Sequence, residues 1–282
     1  MSPVSLRLPA EASVLAEPAP LQPGRLQLRR TRTTPRIRYY CWAHPEPRPG
    51  VPWLVAVHGI SRDPRELIHR LRPAAAAAGL SLVAPHFDSA RFPRYQRLGL
   101  KGDGPRADLG LLGILDELRA LGAGPQVDLF GFSGGAQFAH RFALVHPQRV
   151  RRLGLAAAGW YTLPDPRRAY PYGLRPLDAP GRAPFRLSEF LRLRKLVLVG
   201  SEDRVRDGAL RTGRRLDREQ GRNRLERALR WTRRLHAAAE ELGIDVPPVP
   251  LHVLPRTGHS FEEAVLLGGL DHRLVQFLLA EE

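Results

Sequence analysis

A chain of 282 residues, 43% hydrophobic and 26% charged, has the size and composition of a soluble globular protein that can bury a substantial core. It holds no run of about 20 apolar residues, which excludes a membrane-spanning helix, and its single cysteine, Cys41, excludes an internal disulfide and suits a reducing compartment. The formal charge of +16 is nearly all arginine, since Lys101 and Lys195 are the only lysines, and it is dispersed along the chain with no nucleic-acid-reading motif. It therefore reads as compositional bias, not as a binding patch.

Residues 1 to about 24 are rich in Pro and Ala without periodicity and read as a loose tail. They lack the basic start and apolar core of a secretion signal, so a cytoplasmic location is expected. The stretches RLQLRRT and RIRYYCW read as two strands joined by a short turn, and PWLVAVHG as a buried strand. Asp63, with Pro64 next and Glu66 three residues on, marks a helix start; Pro73 is expected to kink or divide that helix. LSLVAPHF is the next strand and GPRADLGLLGILDELRALG the next helix. QVDLFGF, GGAQFAHRFALVHP and VRRLGLAAAG then read as strand, helix and strand. KLVLVG is a short apolar strand, followed by a long helix near residues 222–242. PLHVLP is the last strand, and SFEEAVLLGGLDHRLVQFLLAEE closes the chain as a helix weakened at Gly268-Gly269.

Apolar strands alternating with amphipathic helices predict one α/β domain over residues 25–282, its mostly parallel sheet covered on both faces. In the basic segment before and within the long helix, acids interleave with arginines at helical spacing. Glu226 and Arg230 are four apart, as on a solvated face. The segment from Gly159 to Phe185, rich in Pro and Tyr and without a period, breaks the alternation and reads as a lid-like insertion over the carboxyl ends of the strands.

The chemistry concentrates at Gly131-Phe132-Ser133-Gly134-Gly135, between a strand and a helix. A sharp turn there lifts the Ser133 hydroxyl above the sheet, and the close backbone approach requires glycine at 131 and 135. The Gly134 N–H, at the helix N-terminus, can stabilise a developing negative charge. A serine nucleophile needs a base, and His259 lies just past the last strand. That base needs an orienting acid, and Asp203 lies just past KLVLVG, with Glu202 and Asp207 as competitors. The loop after PWLVAVHG offers the Ile60 N–H as a second oxyanion donor. The order Ser133, Asp203, His259 is the one this architecture requires. His58 reads as a structural residue and His252 as part of a strand. The remaining histidines lack ligand spacing, so no metal is expected. Phe132, Trp160, Tyr161, Tyr170 and Tyr172 either line an apolar acyl pocket or pack the insertion onto the body.

HGISRDP, GFSGG, GWYTLPD with YPYGL, QGRNRLER and GHSFEEA together resemble the α/β-hydrolase superfamily. Within it, the chain is most similar to small bacterial serine esterases and the polyhydroxybutyrate-depolymerase-like branch. The resemblance spans the chain beyond the tail and implies an α/β-hydrolase fold without a cofactor. It implies Ser133 as nucleophile, Asp203 as acid, His259 as base, and Ile60 and Gly134 as oxyanion donors. The expected partner is a small-molecule ester cleaved through an acyl-enzyme, with no specific nucleic acid. A peptidase, thioesterase or acyltransferase would use the same residues, and a non-catalytic arginine-rich binding protein is the alternative from another class.

Overall fold

Consecutive side chains of a strand leave on opposite faces, so a strand buried on both sides needs apolar residues at every position. The strand Val127–Phe132 meets that demand and becomes the middle of the molecule: Leu129 packs into one core, Phe130 and Phe132 into the other. The structure, a computed structural model, describes residues 18–47, 50–100, 104–175 and 185–281. In chain order the elements are β1 (Leu26–Arg30), β2 (Arg38–Trp42), β3 (Leu54–Val57), α1 (Pro64–Ala77), β4 (Leu82–His86), α2 (Ala107–Ala120), β5 (Val127–Phe132), α3 (Gly134–Val145) and β6 (Val150–Ala156). They continue with α4 (Leu187–Arg192), β7 (Arg194–Gly200), α5 (Arg214–Gln220), α6 (Arg224–Glu241), β8 (Leu251–Leu254), α7 (Phe261–Leu266) and α8 (Leu270–Leu279).

The eight strands form one sheet in the order β1-β2-β4-β3-β5-β6-β7-β8. β2 pairs antiparallel with β1 and β4, and every pairing from β4 through β8 is parallel. Helices α2, α3, α4 and α6 bury Leu111, Phe138, Phe190 and Trp231 on one face; α1, α7 and α8 bury Leu67, Phe261 and Leu274 on the other. This three-layer arrangement with parallel strands carries all the β-to-α turns to one end of the sheet, where ligand sites of open α/β sheets form. No helix of the described residues is long and apolar enough to cross a membrane.

Several expectations are revised. α1 starts at the Asp63 cap as its sequence indicates, but it runs unbroken through Pro73. The proline stands on the exposed side of the helix's last turns, where water can serve the carbonyl that loses its partner. The closing helix is divided into α7 and α8, because Gly269 takes a left-handed conformation with φ 62°. The short helices α4 and α5 were not foreseen. Of the expected tail, residues 1–17 lie outside the described residues, whereas the Gly24 N–H donates to the Ala43 carbonyl at 2.8 Å and ties the chain to β2. Residues 176–184 of the insertion also lie outside them.

Candidate active site

β5 ends at Phe132 and α3 begins at Gly134, which leaves Ser133 alone to make the reversal. Its φ of 54° and ψ of −112° lie outside the basins an L-residue prefers, a strain of order 1–3 kcal/mol that only a firmly held surrounding can maintain. The surrounding is backbone against backbone. A Cβ on Gly131 would collide with Gly135, and one on Gly135 would collide with the Val57 and His58 carbonyls. The Ser133 N–H donates to the Ala156 carbonyl at 2.8 Å, which fixes the turn to the end of β6.

Ser133 Oγ lies 2.9 Å from His259 Nε2, and His259 Nδ1 lies 2.8 Å from Asp203 Oδ2. The carboxylate can only accept, so the ring proton belongs on Nδ1, leaving Nε2 to accept from the serine hydroxyl. The His259 loop is built for this position. Ser260 caps α7 by accepting from the Glu263 N–H, and the Glu263 carboxylate returns to accept from the Gly258 N–H at 3.0 Å. The Glu202 N–H donates to the Thr257 carbonyl at 2.9 Å, joining the loops after β7 and β8. The Phe132 ring stacks on His259 with centroids 5.5 Å apart.

Of the three acids in the β7 loop, only Asp203 reaches the histidine ring. It is 1% exposed, and its second oxygen accepts from Arg224 Nη1 at 3.2 Å. Arg224, also 1% exposed, forms two further bonds of 3.0 Å to Asp207. Asp207 is thus the guanidinium's partner and not the histidine's, and that guanidinium holds its carboxyl below the usual range. Arg224 is a site residue that the sequence reading missed. The expected Glu226–Arg230 pair is present on the outside of α6 at 3.7 Å, but the solvated-face reading fails for Arg224 and Arg227, which point inward among Leu225, Ala228 and Trp231. The two inward arginines stand three apart, which is the only sequence signal for them.

Ile60 and Gly134 come together as expected: a Cβ on Gly134 would stand 3.4 Å from the Ile60 nitrogen and 2.8 Å from the Tyr95 hydroxyl. The Gly134 N–H is the first of α3 and has no intrahelical acceptor. His58 sets the other half. Its buried ring, held neutral with a pKa pushed down to about 4, bonds the Gly59 carbonyl through Nδ1 at 2.8 Å and accepts from the Phe87 N–H through Nε2 at 3.1 Å. In a trans peptide the N–H opposes the C=O, so this bond turns the Ile60 N–H to the opposite side. The Tyr95 hydroxyl donates to the His58 carbonyl at 2.6 Å and secures the same loop.

The cleft at Ser133 encloses about 300 Å³, with Ile60, Leu67, Phe132 and Phe261 as its apolar walls and Asp63 and Glu66 on its rim. Of the aromatics expected in a pocket, only Phe132 lines it. Tyr161 is withdrawn into the core, its ring stacked on Trp231 with centroids 4.4 Å apart. Trp160 and Tyr172 pack against each other, tilted, with centroids 5.0 Å apart, and Tyr172 faces a different cavity. The Tyr170 hydroxyl donates to the Arg97 carbonyl at 2.7 Å. His252 stands in β8 beside Arg273. Among the described residues no three His, Cys, Asp or Glu side chains gather as a metal ion requires.

The sheet order, the turn after β5 and the loops after β7 and β8 define the α/β-hydrolase fold. Poly(aspartic acid) hydrolase-1 from Sphingomonas sp. KT-1 superposes with a TM-score of 0.74 at 24% identity, over 91% of this chain and 97% of that one. A poly(3-hydroxybutyrate) depolymerase from Bordetella parapertussis gives 0.75 at 23%, over 91% and 90%. A carboxylesterase from Bacillus subtilis gives 0.54 at 13%, over 92% and 93%. Similarity at these identities concerns the fold. No protein-family model and no curated protein sequence matches the chain.

Proposed function

We propose that the protein is a serine hydrolase that cleaves carboxylic esters through an acyl-enzyme. The observation that carries this reading is the unbroken hydrogen-bonded chain from Ser133 Oγ through His259 to Asp203 at a strained strand-to-helix turn. The hydrolase activities named for the structural neighbours support it.

In this reading Ser133 Oγ attacks the ester carbonyl as His259 Nε2 takes its proton. Asp203 keeps the ring in the required tautomer and balances the imidazolium. The Ile60 and Gly134 N–H groups receive the oxyanion; a single such donor contributes about 10²–10³ in rate where it has been removed elsewhere. His259 then returns the proton to the leaving alcohol, and water, activated by the same ring, releases the acid. The acyl carbon exchanges its bond to the alcohol oxygen for one to Ser133 Oγ and then for one to the oxygen of water, whose proton passes through His259 back to Ser133, and no redox partner or cofactor is consumed.

Ser133→Ala tests the reading. Hydrolysis of p-nitrophenyl esters and labelling by a fluorophosphonate probe should both disappear while the circular dichroism spectrum stays that of the parent. Undiminished labelling of the variant at another serine would remove Ser133 from the role.

A further inference from the structure

A second cavity, of about 490 Å³, begins two residues along the chain from the wall of the Ser133 cleft. Ala209 lines the cleft and Arg211 lines the cavity, and two residues span at most about 7 Å. Its walls come from the insertion, at residues 167–175, and from residues 211–219. Six arginines line it against one acid, Glu219, which is already shared by Arg168 and Arg215. Arg175, Arg211 and Arg214 have no carboxylate partner among the described residues.

Unpaired arginines on the surface of a basic protein are ordinary, but one of those lining this cavity, Arg211, is held in place. The Arg211 guanidinium lies 5.6 Å from the ring centres of both Trp160 and Tyr172, which pack against each other at a tilt of 37°. A guanidinium resting on aromatic faces keeps its N–H edge available for a planar anion, and less freedom is lost when the anion arrives. Behind Trp160, at 4.2 Å from its ring, is Arg141, fully buried in α3. It donates to the Thr162 hydroxyl and the Gln96 carbonyl, but its Nη2 has no hydrogen-bond partner and no carboxylate faces it among the described residues. The Arg97 guanidinium stands 6.0 Å from the same ring. Three cations surround one indole, and a buried guanidinium is costly without an opposing charge. Burial first, and then Arg97 and Arg211, push the Arg141 pKa down to about 10.

We propose that this cavity is a subsite for an anionic oxygen group, carboxylate or phosphate, carried by the substrate of the Ser133 site some way from the scissile carbonyl. The inference rests on the reading of Ser133 as nucleophile. Charge also sets the direction of binding: Asp63 and Glu66 on the rim of the cleft repel an anionic tail, and the arginines attract it. The substrate class is therefore an ester with an apolar segment at Ser133 and a remote negative charge.

The test compares three p-nitrophenyl ester series of matched chain length: neutral fatty acyl esters, mono-esters of α,ω-diacids, and ω-phosphoryl acyl esters. In the parent, kcat/KM should be about tenfold or more above the neutral ester for an anionic ester long enough to reach the cavity. Arg211→Gln and Arg175→Gln should each remove most of that gain and leave neutral esters within about twofold, as for loss of a charge-assisted hydrogen bond. A gain in either anionic series supports the subsite, and the larger gain names the anion. Neutral and anionic esters turned over alike in the parent would overturn it, while fluorophosphonate labelling and neutral turnover still upheld Ser133. Loss of labelling and of all ester turnover in the parent would overturn both. Inhibition by a short oligonucleotide at lower concentration than by sebacate, lost in Arg211→Gln, would assign the cavity to nucleic acid and overturn the substrate role.

Discussion

The Ser133 cleft and the arginine-lined cavity flank one loop, residues 201–213, and treat charge in opposite ways. Behind the cleft, every charge is answered: Arg224 bonds Asp203 and Asp207, and Asp203 bonds His259. Across the loop, Arg211 and Arg175 face open space, and Arg141 is buried without a counter-ion among the described residues. A closed charge network fixes the position of groups that must not move during a reaction. An open network of held cations leaves the balancing charge to be supplied from outside.

The largest effect is expected at the centre of the closed network. Asp203→Asn should lower kcat by about 10⁴, since an amide at that position no longer enforces the histidine tautomer. Asp207→Asn should cost less than about tenfold, because Asp207 touches Arg224 and not His259. The reverse ranking would mean that Asp207 is the orienting acid. Next comes Arg224→Gln, which leaves two carboxylates facing a neutral amide, one of them fully buried. Breaking a buried pair in this way costs about 3–5 kcal/mol, to be read from the urea midpoint, and ester turnover should fall with it. A variant with the parental midpoint would show that the network is not closed in any energetic sense.

Ser133, Asp203 and His259 were legible in the sequence; the arginine that closes their network, and the open network, were not. Ser133, Asp203 and His259 each follow an apolar strand, and such runs are unambiguous even when their ends are not. The glycines at 131 and 135 announced the turn because only a missing Cβ permits that approach. Arg224 and Arg227 were illegible for a physical reason: acids and arginines at helical spacing look the same whether the helix turns them to water or to a buried carboxylate 21 residues away. Tyr161 and Trp160 are neighbours in an aperiodic segment, and only the fold sends one ring against Trp231 and the other toward the arginines. The helices α4 and α5, of 6 and 7 residues, are shorter than two helical turns and present too little period to read. The open cavity escaped because its two walls come from segments about 40 residues apart and nothing in either marks them as facing.

The smallest effect sharpens the comparison through a third kind of buried cation. Lys195 is 1% exposed in β7, and its Nζ donates to the Leu191 and Leu193 carbonyls at 2.9 and 2.6 Å, with no carboxylate partner among the described residues. Burial pushes its pKa down to about 7. A lysine can answer an unpaired site by releasing its proton, an option closed to arginine. Between pH 7 and its ordinary pKa near 10.5, the unfolded chain holds a proton that the folded chain has given up, so stability rises with pH across that window. The stabilisation is complete above the unfolded value and is lost as pH falls through 7. The Tyr39, Tyr95 and Tyr161 hydroxyls, whose pKa values burial raises, act in the opposite sense above about pH 10. The buried Cys41 thiol, pushed up to about 12, opposes the rise from about pH 8.5. The window to measure is therefore pH 7 to 8.5, where the unfolding free energy from urea titrations should climb by at most about 1.4 kcal/mol per unit through Lys195. Lys195→Met should flatten that slope and raise stability most at pH 7. A variant with an unchanged slope would mean that the Leu191 and Leu193 carbonyls hold the ammonium charged, so that a buried cation without a carboxylate is tolerated here.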